Sequence, residues 1–110
     1  MSFYANHSSR RETDDKVEAQ RRHARRRAQE RYGINLDNEL LIAWVSAIQG
    51  QNPAVPVRPL GRESTRLTHF AITHGDIEVP VVYDKQRKQI VTVLPESGLL
   101  GPGKGLDHDE

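Results

Sequence analysis

His23, Arg27 and Arg31 stand at steps of four inside residues 21–31, which read Arg-Arg-His-Ala-Arg-Arg-Arg-Ala-Gln-Glu-Arg. That spacing lines them up along one flank of a helix, each about one turn from the next. Histidine titrates near neutral pH and can both take and give a proton. Arginines one and two turns away can hold a phosphodiester bidentately and stabilise charge that develops on it. The chemistry suggested is cleavage of RNA without a metal, in which one group takes the 2′-hydroxyl proton and a second protonates the leaving oxygen. His69, expected mid-strand beside Thr68, is the candidate second group if it faces the helix; His74, at a turn, is a weaker one. Tyr83 and Thr92 are candidate phosphate or base contacts from the sheet. Each has a plainer reading: a solvated basic face for the helix, a half-buried aromatic for Tyr83 and a strand-forming residue for Thr92.

The charge distribution supports an anionic partner. Six arginines against one glutamate give residues 21–31 a charge of +5, whereas the whole chain carries +1. Residues 1–35 hold nine Lys and Arg against five Asp and Glu, so a basic N-terminal part precedes a slightly acidic body. Like charges at helical neighbour spacing cost a few tenths of a kcal/mol per pair, at roughly 0.2–0.5 kcal/mol. Phosphate facing the helix would offset that cost. Arg22 and Arg26, with Arg21 and Arg25, point away from the His23 flank and suit general contact with a nucleic-acid backbone.

The elements that must position these residues follow from periodicity. Residues 1–12 are polar and aperiodic and read as a flexible arm. Ser9 or Thr13 offers a helix start, nothing breaks the helix before Tyr32, and Gly33 ends it. Val17, Ala24, Ala28 and Tyr32 make a narrow apolar stripe on this helix. A second helix is expected over about 37–49, with Leu36, Leu40, Leu41, Trp44, Ala47 and Ile48 as a buried face. Trp44 reads as a core anchor. After the proline-rich stretch 51–61 the period changes to two, giving strands over 65–73, 78–83 and 89–94, with Val57–Leu60 a possible fourth at an edge. Pro80 predicts a late start or a bulge in the middle strand. From residue 97 the chain reads as a disordered Gly-rich acidic tail. The expected fold is α+β: two N-terminal helices packed on a three- to four-stranded antiparallel sheet, forming one domain over 13–96.

Several function classes are disfavoured. No cysteine is present, which removes disulfides and thiolate metal sites and fits a reducing cytoplasm. No apolar run approaches the ~20 residues that span a membrane. No metal-ligand spacing or phosphate-binding glycine loop is evident, so no cofactor is expected.

The run His23-Ala24-x-x-Arg27-x-x-x-Arg31-x-Gly33-Ile34 resembles the opening of small domains of the DUF4258 class. Val81-Val82-Tyr83-Asp84 with Ile90-Val91-Thr92-Val93-Leu94-Pro95 is similar to that class's paired closing strands, and small phage-encoded proteins look alike. The resemblance implies the barnase–EndoU–colicin–RelE type of ribonuclease and toxin folds, which are metal-independent. Carried over by position, it implicates His23, Arg27, Arg31 and Thr92. The function expected is therefore a small endoribonuclease or ribonuclease-like toxin, with a host protein or cognate inhibitor as a further partner. The alternative is a non-catalytic phage-type effector whose basic helix binds nucleic acid or an acidic host-protein surface. A third reading is an accessory subunit that oligomerises through the helix.

Overall fold

The computed structural model describes the backbone of residues 2–102 and the side chains from residue 16 onward; Met1 and residues 103–110 lie outside the described residues. Helix α1 spans Ser2–Tyr32 and helix α2 spans Asn38–Ile48. Four strands follow: β1 Val57–Arg62, β2 Leu67–His74, β3 Ile77–Asp84 and β4 Gln89–Val93, with a short 3₁₀ helix over Glu96–Leu100. Each strand pairs antiparallel with the next, in the order β1-β2-β3-β4. This is the expected α+β arrangement, with the edge strand β1 as the fourth.

The helix ends follow from local chemistry. Gly33, at φ 68°, takes the left-handed turn that a side chain resists, and its N–H closes α1 on the Gln29 carbonyl at 2.9 Å. The Asp37 side chain caps α2 by accepting from the Leu40 N–H at 2.9 Å. The helical backbone of α1 begins at Ser2, so neither Ser9 nor Thr13 marks its start. The apolar stripe becomes a close seam: Ala24 and Ala28 are wholly buried and let α1 approach the sheet over β4. Because the seam is filled within the chain, it is not available to the oligomerising role considered for this helix.

The sheet has two unlike faces. Ile72, Val79, Val81, Tyr83, Ile90 and Val93 form one core with Ala24, Ala28, Leu36, Leu41 and Trp44, with Phe70 packed against it. Side chains alternate along a strand, so His69, Ala71, Pro80, Val82 and Asp84 lie on the opposite face. Trp44 is the core anchor expected of it, 1% exposed and meeting the His74 ring edge-on with ring centroids 5.8 Å apart.

Two expectations need correction. β3 passes through Pro80 without a late start or a bulge there. Pro80 faces Ala71 on one side, and on the other its carbonyl accepts from Leu94 N–H, just past the end of β4. Its missing donor therefore falls where no strand requires one. The bulge lies between Val82 and Tyr83 in the β3–β4 register, with Val91 the extra residue. The tail expected from residue 97 is also structured at its start: Ser97–Leu100 continue the 3₁₀ helix, and Gly101 and Pro102 are buried. Gly101, at φ 92°, passes so close to the Leu60 carbonyl that a Cβ would sit 2.8 Å from its oxygen. Gly98 and Gly101, which read as disorder in sequence, thus serve here in close packing.

Candidate nucleic-acid interface

The Ala24–Ala28 seam fixes the rotation of α1 and with it the destination of each basic side chain. On one side of the seam, Arg21 and Arg25 are half-buried beside α2 and the start of β4. Arg21 Nε donates to Gln89 Oε1 at 3.2 Å, and Arg25 Nη2 donates to Asn38 Oδ1. Further round the same side come Arg22 and Arg26, both exposed and with no ion pair among the described residues. Successive residues turn by about 100°, so these four arginines make one continuous arc.

The other side holds the predicted catalytic flank. His23 is exposed. Arg27 pairs with Glu30 on its own helix at 3.0 Å. Arg31 lines a depression of about 710 Å³ together with Tyr32, Asp76, Glu78 and Glu96. Tyr32 donates its hydroxyl to the Leu94 carbonyl at 2.7 Å. Its pKa is raised, first by burial and then by the nearby Glu96 charge, with Arg31 acting in the opposite direction. Nearby, the carboxyl of Glu78 is held below the usual range by its hydrogen bond with Arg58, which lies 2.7 Å away across the sheet's outer face.

The sheet does not bring His69 to His23. His69 belongs to the face opposite the helices, because Phe70 and Ile72 take the inward positions of β2. Turning His69 inward would turn both of those side chains out. It is 7% exposed, its Nε2 lies 2.7 Å from Glu63 Oε1, and its Nδ1 is buried without a partner among the described residues. Thr92 shares that outer face, since both His69 and Thr92 register with Val82. His74 does face the helices, but it packs against Trp44. Tyr83 also faces inward, only 6% exposed, and its hydroxyl accepts from Gln49 Nε2 at 3.0 Å. The predicted His23–Arg27–Arg31 flank is thus real as a helix flank, without the sheet partners assigned to it.

A different concavity adjoins the arginine arc. A groove of about 340 Å³ runs between α1 and α2, walled by Arg21, Asn38, Gln49 and Gln89 over a floor that includes Leu41 and Val45. Among the described residues, no group of three or more His, Cys, Asp or Glu could hold a metal, and no helix is long and apolar enough to cross a membrane.

No family model, no curated protein and no solved structure matches this chain. The resemblance to the DUF4258 class rests on its short motifs alone.

Asn38, Gln49 and Gln89 are groove residues that sequence reasoning passed over, and Arg21 was expected only as a general backbone contact, not as a groove wall. One signal was present: Arg21 lies only about 60° from Ala24 on the helical wheel, close to the seam. Nothing in the sequence indicated that Asn38 and Gln89, far apart in the chain, would stand opposite it.

Proposed function

We propose that this chain binds nucleic acid through its phosphate backbone, using the arc Arg21–Arg25–Arg22–Arg26 of α1, and does not cut it. The observation that carries the reading is the exposure of Arg22 and Arg26 without carboxylate partners among the described residues. Phosphate approaching there meets uncompensated cations. Arg27 and Arg31, by contrast, already stand among carboxylates. Cleavage by a histidine pair has less support, because His23 and His69 lie on different sides of the sheet. A chain without cysteine suits the reducing cytoplasm in which we place this binding.

The test is fluorescence anisotropy of labelled RNA and DNA over a range of salt. Affinity should fall steeply as salt rises, and the slope should flatten when Arg22 and Arg26 are replaced by alanine. Absence of binding at low salt would overturn the proposal and favour an acidic protein surface as the partner. RNA cut in excess EDTA, with cutting lost in His23→Ala, would restore the endoribonuclease and, with it, the toxin reading.

A further inference from the structure

The phosphate-binding reading leaves the neighbouring groove unexplained, and its chemistry narrows the ligand. Resting on that reading, we infer that the groove between α1 and α2 receives an unpaired nucleobase, so that the chain prefers single strands to duplexes. At about 340 Å³ the groove is at the lower end of the range of small-ligand sites. A base is a flat body with apolar faces and a polar edge, and the groove offers a match for both.

The polar match comes from three carboxamides, each able to donate and accept. Gln89 uses Oε1 to hold Arg21, and Asn38 uses Oδ1 to hold Arg25. Their amide nitrogens have no partner among the described residues. Gln49 is oriented the other way: its Nε2 is engaged by Tyr83, leaving its carbonyl oxygen as the acceptor. The groove therefore presents two donors and one acceptor on side chains already held by second partners. The mixed donor and acceptor edge of a base is the complement of that set. Among the described residues, no carboxylate lines the groove to repel the adjoining phosphates.

The apolar match is Leu41 and Val45 at the floor and Ile42 at the mouth. Ile42 is 63% exposed, a large aliphatic side chain left in solvent beside polar walls. A base edge that is already paired within a duplex cannot enter, whereas an unpaired base can swing in while its phosphates follow the arginine arc.

The experiment compares the full chain's affinity for RNA and DNA strands of one sequence, about 10 nucleotides long, each single-stranded and as a duplex. A backbone of equal length lacking bases is the third probe. We expect single strands to bind about 10-fold more tightly than duplexes or the abasic backbone. A single-strand preference in either the RNA or the DNA arm supports the inference, and the tighter arm identifies the strand. Gln49→Ala, which removes the groove's acceptor and holds no arginine, should lower single-strand affinity toward the duplex level and leave the salt slope unchanged. Ile42→Ala, at an exposed position with little bearing on folding, should weaken single strands alone. Equal affinity of the native chain for all three probes would overturn the groove inference while leaving phosphate binding intact. Binding to none of them at low salt would overturn both.

Discussion

The two flanks of α1 carry the same residue type and differ in what stands opposite them. Arg21 and Arg25 meet the neutral carboxamides of Gln89 and Asn38, which orient the guanidinium groups and leave their charge intact. Arg27 meets Glu30, and Arg31 shares its depression with Asp76, Glu78 and Glu96. A phosphate approaching the first flank gains attraction; approaching the second, it also meets carboxylates. An arginine's identity says little about its role until the charge facing it is known.

Both flanks depend on the seam between them, so the largest effect should come from breaking it. Ala28→Glu places an unpaired carboxylate at a wholly buried position. The expected loss is on the order of 3–5 kcal/mol by urea unfolding, with the distinction between the flanks lost as α1 lifts. If stability is unchanged, the seam does not set the helix's rotation.

Next in size is the arc itself. Arg22→Ala with Arg26→Ala should weaken binding about 10- to 100-fold at low salt and reduce the salt slope by about 1 to 2. The matched change on the other flank, His23→Ala with Arg27→Ala, should alter affinity less than about twofold, as expected for residues away from the contact. Equal losses from the two pairs would erase the comparison. A larger loss from the second would reverse it.

A smaller effect concerns Tyr32, which ties the end of α1 to Leu94. Tyr32→Phe should cost about 1 kcal/mol through the lost hydrogen bond, read by thermal or urea unfolding. Because folding raises the pKa of this phenol, its contribution is fully present below the ordinary tyrosine value and is lost as pH rises through the folded value. The native chain should therefore lose more stability than the phenylalanine variant as pH rises above about 10. Parallel profiles would show that the phenol makes no such contribution.

Much of the fold was legible because it repeats locally. Asp37 and Gly33 announce helix ends, Leu41 and Trp44 the buried side of α2, and the alternation around Ile72, Val79 and Val81 the strands. The errors lie where a residue's meaning comes from a distant partner. Pro80 looks disruptive until the end of β4 is found beside it, and Gly101 looks loose until it meets Leu60. His69 belonged to the candidate site only if it faced the helices. Its partners Phe70 and Ile72 decided otherwise by taking the inward face.

The sequence by itself determined that a cluster of arginines would lie on a helix ahead of an antiparallel sheet, because helical and strand periods are properties of neighbouring residues. Arg27 meets Glu30 locally, one turn on along the same helix. Only the tertiary structure decided that Arg21 and Arg25 face carboxamides and that Arg31 faces carboxylates from beyond the helix. That choice follows from the rotation of α1, set by the fit of Ala24 and Ala28 against β4. It depends also on the place where α2 and Gln89 come to rest, and neither position is encoded within the arginine run.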